Sequence, residues 1–369
     1  MRFLHIGDLH LASRFSAFSP RVAAAWREGQ LAALENMLRE AKDAGAELLL
    51  FAGDSFDTPT PDAETAHRFF SLLGDTELPV VIAPGNHDFY MSGGVFDTPD
   101  IPSNVHIFKT AELTSFAFPT LGVTVSGYAF TAESMPAPTL PRAGTLSPEH
   151  SHILLAHADL DAPLSAYAPL SGKALAASDF RYAALGHVHV AQSPQRFGQT
   201  VAAYSGFLAG RGFDEVGAGS ANLVELSQTS LTVTPLAARA ASFEIRTLDC
   251  TGATSGEEIR LRAVALMEGL SFPARTALRL VLQGEVGVDC VTPTAALRRL
   301  GEGYDLFEIR DETGVLLDTL YLQRDPSLRG AFYRALLPRL ESADEKERAV
   351  AAEALRLGLA AIAGKEVLL

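Results

Sequence analysis

Short apolar runs alternate with amphipathic stretches along the first third of the chain. Arg2–Ile6 reads as a strand. Ser19-Pro20 then offers an N-cap and a proline at the first helical position. Leu31, Leu34, Leu38 and Ala41 follow at spacings of three, four and three, which predicts a helix to about Ala44 closed by Gly45. Glu47–Ala52 and Pro79–Ala83 read as buried strands on either side of a helix at Pro61–Leu73. Residues 104–128 look like short strands joined by turns, and Met135–Pro148 like a proline-rich loop. Two further apolar runs, His152–Ala156 and Tyr182–Leu185, precede hairpin-like strands at Gln199–Ser205 and Ala221–Thr234. Strands alternating with helices predict an α/β layered domain with parallel strands at its centre, ending near Ala240.

The pattern then restarts. A strand (Phe243–Leu248), a helix (Gly256–Gly269), a strand (Thr276–Gln283), a helix (Thr294–Leu300) and a strand (Asp305–Arg310) predict a second, smaller α/β domain over 241–325. A helical tail covers 326–369. Leu328, Phe332, Leu336 and Leu340 recur every four residues, with Pro338 set to stop or kink that helix. Ser342-Ala343-Asp344-Glu345 reads as a capping box. The last helix carries a stripe of Val350, Ala354, Leu357 and Ala361, widened by Leu355 and Ile362. The stripe is expected to pack on the second domain, a partner-binding helix pair being the alternative.

Composition narrows the class. Hydrophobic residues at 47% and charged residues at 20% suit a globular chain and exclude a fibrous or disordered one. The two cysteines, Cys250 and Cys290, form neither a disulfide framework nor a Cys-x-x-Cys site. No apolar run approaches a membrane span, and His5, Asp8 and His10 interrupt any signal-like segment, so a cytoplasmic location is expected. The formal charge is −14, and residues 1–150 alone hold 9 basic against 18 acidic side chains. A protein gripping nucleic acid mainly by charge should show a basic excess somewhere. Either the substrate is not nucleic acid, or bound cations and a partner supply the positive potential.

Candidate chemistry gathers just past the predicted strands: Asp8-Leu9-His10, Gly53-Asp54-Ser55-Phe56-Asp57, Gly85-Asn86-His87-Asp88, His157, and Gly186-His187-Val188-His189. In open α/β sheets ligands bind beyond the carboxyl ends of the strands, so these clusters can converge. Residues two apart in a strand share a face, which would aim Asp8 with His10 and His187 with His189 at one point. Asp, Asn and His donors without cysteine suit manganese, iron or zinc rather than calcium. Seven such donors exceed one tetrahedral site and suit two ions sharing a carboxylate.

In this order the motifs resemble the calcineurin-like metallophosphoesterase superfamily, over roughly residues 1–240. The resemblance implies a four-layer α/β sandwich holding two divalent ions, manganese first, with iron or zinc as alternatives. Asp8, His10, Asp54 and His189 would hold one ion, and Asp54, Asn86, His157 and His187 the other. His87 would face the leaving group and Asp88 would orient its imidazole. Leu4–Leu11, Gly53–Thr58 and Tyr204-Ser205-Gly206 are further similar to the bacterial DNA-repair exonuclease branch, of SbcD and YhaO type, as is a small capping domain followed by C-terminal helices. Gly210-Arg211 followed by Glu215 looks more like the YhaO subgroup. Ser55 and Ala12 depart from the branch, which carries an aliphatic residue and a glycine there.

The expected function is a metal-dependent phosphodiesterase, a nuclease of DNA ends working through a metal-bridging hydroxide. A phosphomonoesterase or small-molecule phosphodiesterase is the alternative, and a non-catalytic partner-binding scaffold a third. The expected partners are DNA, a coiled-coil SbcC-like ATPase and a second copy of the chain, with no membrane. Arg14, Arg181, Arg196 and Arg211 are candidate phosphate contacts, each set against a plain solvated surface arginine.

Overall fold

A computed structural model describes residues 1–272, 275–287, 289–316, 318–362 and 364. The end of the predicted tail, 365–369, lies outside the described residues. The chain divides into two compact units, the first from Met1 to Phe243 with Arg275, the second from Glu244 to Phe272 and from Thr276 onward.

The first unit holds β1 (Arg2–Ile6), α1 (Pro20–Asp43), β2 (Leu48–Phe51), α2 (Ala63–Asp75), β3 (Val80–Ile82), β4 (Val105–Ile107), β5 (Thr114–Phe118), β6 (Val123–Gly127) and β7 (Ser151–His157). It continues with α3 (Gly172–Ala176), β8 (Phe180–Gly186), β9 (Gln195–Phe197), β10 (Thr200–Tyr204), β11 (Ser220–Leu226) and β12 (Leu231–Ala237). Two six-stranded sheets result, ordered β12-β11-β1-β2-β3-β4 and β5-β6-β7-β8-β10-β9. The centres of both are parallel; antiparallel strands close both edges of the second sheet and the β12 edge of the first, whose other edge strand, β4, runs parallel to β3.

The helix ends follow local chemistry. The Ser19 hydroxyl accepts from the Val22 amide at 3.5 Å and opens α1, while Gly45, at φ 78°, leads the chain away from its end. For α2 the cap is Asp62, which accepts from the Thr65 amide at 2.9 Å. The helix therefore starts at Ala63, two residues later than the proline at 61 had suggested.

Alternate strand residues face opposite layers. Phe3, Leu48, Leu50 and Val81 meet Val125, Ile153, Leu155 and Tyr182 between the sheets. Leu4, Ile6, Leu49 and Phe51 pack instead on Leu31, Leu34, Leu38 and Phe69 of the two helices. A sheet covered on both faces explains why β2 reads Leu-Leu-Leu-Phe without alternation. The fourth layer is thin. The outer face of the second sheet is covered by Leu175 of the short α3 together with Tyr128, Phe130 and Leu170 from loops. His5 is fully buried between the sheets, with Nδ1 2.9 Å from the Tyr182 hydroxyl and Nε2 3.1 Å from the Leu185 carbonyl. Burial pushes its pKa down to about 3, so it packs as a neutral ring.

The second unit runs β13 (Ser242–Asp249), α4 (Gly256–Glu268), β14 (Thr276–Gln283), β15 (Glu285–Val286), α5 (Thr294–Arg299), β16 (Leu306–Asp311), β17 (Gly314–Val315), α6 (Thr319–Arg324), α7 (Leu328–Leu340) and α8 (Glu345–Ile362). β13, β14 and β16 form a three-stranded sheet, and β15 pairs with β17. The tail helices share a core with this unit: Val315, Leu322, Tyr333, Leu355 and Leu359 form one cluster. Two expectations for the tail are corrected. The buried face of α8 is Ala351, Leu355 and Leu359, whereas Val350 is 69% exposed. The cap is Asp344, which accepts from the Lys346 amide at 2.9 Å, while Ser342 hydrogen-bonds Glu347. Pro338 falls in the last turn of α7 and the helix ends two residues later. Among the described residues no helix is long and apolar enough to cross a membrane.

Candidate metal centre

Parallel strands from both sheets deliver the five clusters to one edge of the sandwich. There the loop after β1 is hydrogen-bonded to the loop after β2, Asp8 N to Gly53 O at 3.1 Å and His10 N to Asp54 O at 2.9 Å. The two sheets are tied across the centre by Asp8, whose carboxylate oxygens both lie 3.1 Å from the His187 amide. Strand alternation is not what aims Asp8 and His10. Both lie beyond β1 in left-handed backbone, at φ 51° and 45°, as do Asp54 at 51° and His187 at 99°. Such conformations cost a side-chain-bearing residue on the order of 1–2 kcal/mol each and cluster where function demands them. Gly53, at φ 90°, is required twice over, because a Cβ there would enter the His157 ring.

Three donor groups form, each with ligand atoms within 4.8 Å of one another: Asp8, His10 and His189; His10, Asp54 and His87; Asp8, Asp54 and His157. Asn86 joins the third, its Oδ1 2.9 Å from His157 Nε2. His187 does not share its ring nitrogens with these groups. Its Nε2 lies 3.4 Å from Asp159 and its ring rests on Tyr167, with centroids 4.8 Å apart.

Hydrogen bonds behind the imidazoles set which nitrogen faces inward. His157 Nδ1 lies 2.9 Å from the Ala52 carbonyl, which can only accept, so that nitrogen carries a proton and Nε2 is turned to the centre. His189 Nδ1 is 2.7 Å from Glu215, and His10 Nδ1 is 3.3 Å from Asp57, close but off line for a hydrogen bond. Consequently the Nε2 atoms of His10 and His189 face each other at 3.3 Å. Two lone pairs at that distance repel unless a proton or a metal ion lies between them. The donor set and this contact together fit a divalent metal ion.

Charge follows the same logic. Burial pushes Asp8 up to about 6, with Asp54 adding to the shift. Burial opposes charge on Asp54 as well, but His157, His10 and His87 outweigh it and hold this carboxyl well below the usual range. In His157 burial is likewise outweighed, here by Asp54, and the ring rises to about 9. Burial depresses His10 to about 4 and, with the charge of His157, lowers His187. A cation entering this cluster displaces a proton from His157, and below about pH 6 one from Asp8 as well, so its binding is coupled to proton release.

His87 stands at the rim, its side chain 42% exposed, with its amide donating to Asp54 Oδ1 at 2.9 Å. The carboxylate facing its Nδ1, at 3.7 Å, is Asp57. Asp88 does not orient the His87 ring. Fully buried, it accepts from the amides of Gly85 at 2.7 Å, Asp54 at 3.2 Å and Phe56 at 3.1 Å, lacing the loops after β2 and β3 together. Burial and the charge of Asp54 raise it to about 7.

Sequence reasoning gave Asp57 and Glu215 no role, although both stand inside motifs it quoted. Asp159 was missed outright, because nothing local marks a loop acid that meets His187. Of the four candidate arginines, Arg211 reaches the centre, paired with Asp57 and Glu215. Arg181 donates to the carbonyls of Gln228 and Ser227, and Arg14 and Arg196 are exposed.

Residues 1–191 match the family model of the calcineurin-like phosphoesterases, and the chain belongs to that family. That family is one of metal-dependent phosphoesterases. A similar protein is the uncharacterized metallophosphoesterase YhaO of Bacillus subtilis (strain 168), 28% identical over 203 residues that take in 52% of this chain and 49% of the relative. The aligned region thus spans about half the length of that relative. One crystal structure aligns over 63% of this chain and 98% of its own, at 13% identity and a TM-score of 0.39, a likeness too distant to carry an argument.

Proposed function

We propose that this chain is a cytoplasmic nuclease of DNA repair that hydrolyses phosphodiester bonds at DNA ends with two manganese ions. The observation that carries the two-ion reading is the sharing of carboxylates: Asp8 belongs to the groups around His189 and His157, and Asp54 to those around His10 and His157. Asp8, His10 and His189 would hold one cation, and Asn86 and His157 the other, with Asp54 common to both; His187 would join the second by turning its Nε2 from Asp159. When bound, such a pair neutralises a phosphate and lowers the pKa of water toward neutrality. The chain's own contribution is to aim Nε2 atoms inward through Ala52, Asp57 and Glu215, and to leave His87 exposed where a leaving oxygen would need a proton. Likeness of the Leu4–Leu11, Gly53–Thr58 and Tyr204–Gly206 motifs to DNA-repair exonucleases points to DNA. A coiled-coil ATPase partner would offset the acidic balance.

A second reading, a small phosphoester substrate, is favoured by the charge of −14. Digestion of end-labelled single- and double-stranded DNA with manganese, run beside p-nitrophenyl phosphate mono- and diesters, separates them. Manganese-dependent release of label is the expected result. Turnover of the small esters with DNA left intact would move the assignment to the second reading, and inertness toward both would end it.

A further inference from the structure

The two carboxylates behind His10 and His189, Asp57 and Glu215, are joined by a guanidinium to which the proposed chemistry gives no part. Arg211 donates from Nη1 to Asp57 Oδ1 at 3.0 Å, and from Nη2 and Nε to Glu215 Oε1 at 2.7 and 3.0 Å. Its backbone amide donates to the other Glu215 oxygen at 2.8 Å. The two carboxylates it joins do different work. Glu215 takes the Nδ1 proton of His189 at 2.7 Å, whereas Asp57 faces Nδ1 of His10 at 3.3 Å and of His87 at 3.7 Å. One guanidinium therefore spans the partners of three imidazoles, two of them in the donor group with Asp8 and the third the candidate acid.

The local sequence builds this strap. Gly210 allows the close turn, since a Cβ there would press on the Glu215 carbonyl, and the Glu215 amide returns to Gly212 at 3.0 Å. Phe213 anchors the loop on Phe243, ring centroids 5.2 Å apart. The glycine, arginine and glutamate of this motif thus have one joint task. Without the arginine, Glu215 and Asp57 would be two carboxylates with no cation between them, at the back of a centre already rich in acids. Each would be free to turn from its histidine. A planar fork bridges two acids in fixed directions, which the rotatable donors of an ammonium hold less firmly.

We propose that Arg211 and Glu215 are positioning residues of the metal centre, holding His189 and, through Asp57, His10 in the orientation that binds metal, with His87 kept beside them as the candidate acid. The inference stands whether the substrate is DNA or a small ester. It also differs from the simpler idea that Arg211 grips a substrate phosphate.

Manganese titration of metal-stripped full-length chain by calorimetry, without substrate, tests it. Outer partners of ligating histidines are worth about 10- to 100-fold in metal affinity. Arg211→Met and Glu215→Gln should each weaken manganese binding by that factor, with Arg211→Lys recovering only part. Because both act through His189, the double variant should lose little more than either single one. Circular dichroism checks that each variant is folded, and Glu215→Gln, of equal size, serves if Arg211→Met is not. Unchanged manganese affinity in the folded variants, or a rise in KM alone for Arg211→Met, would overturn the proposal. Absence of binding by the wild-type chain would instead refute the metal centre itself.

Discussion

At Ala12 the backbone turns left-handed, with φ 66°, in the loop that carries Asp8 and His10. A Cβ in that region costs about 1–2 kcal/mol, partly offset by the greater freedom of glycine in the unfolded chain. Ala12→Gly should therefore stabilise the protein by about 0.5–1 kcal/mol in urea unfolding. Ser55, the other departure from the exonuclease-like motif, is fully buried, and its hydroxyl makes no hydrogen bond. An unsatisfied buried hydroxyl costs about 1–3 kcal/mol, so Ser55→Ala should raise stability by about 1 kcal/mol; destabilisation would mean that the hydroxyl is satisfied in solution. His87 gives the third expectation at this scale. Its side chain is exposed and its Nδ1 faces Asp57, so His87→Ala should keep manganese affinity in calorimetry and lower kcat by about 100- to 10,000-fold. Loss of metal binding in that variant would make His87 a ligand instead of an acid. The candidate ligands were legible because their motifs mark strand ends. Asp88 was misread because its neighbour His87 suggested a partner, and only the backbone amides that surround it reveal its work.

Among the elements, those whose apolar positions allow a single buried face could be read closely. In α1, Leu31, Leu34, Leu38 and Ala41 are all buried as their spacing requires. α8 is different. From Ala349 to Ile362 nine of the fourteen residues are alanine or leucine, so several faces are apolar and periodicity alone does not choose among them. Contact with the Phe332 side of α7 chooses the face through Leu355, which the predicted stripe carried only at its margin. The register has an energetic signature. Leu355→Ala should cost about 2–5 kcal/mol, as for other buried leucines, while Val350→Ala should stay within about 0.5 kcal/mol. Chemical denaturation followed by circular dichroism distinguishes the two, and equal effects would contradict this packing.

For the molecule as a whole, every candidate ligand lies in the first unit. A ligand that binds only the folded state stabilises by mass action, about 2.7 kcal/mol at a hundred times its dissociation constant. Manganese at that excess over a chelator-treated sample should raise the melting transition of the first unit by about 5–10 °C, leaving that of the second unmoved. Calorimetric scans with and without metal make the comparison; a shift in both transitions would show that the units unfold together.

The alternation of strands and helices from β1 to β3 and the bunching of Asp, Asn and His at strand ends were inherent in the chain, because periodicity and turn residues act over a few neighbours. The inward aim of His10, His157 and His189 was not. It depends on Asp57, Ala52 and Glu215, the last two reached across 105 and 26 positions. Which partner a titratable side chain meets is a matter of close approach in space, decided only when the two sheets and their loops close on one another.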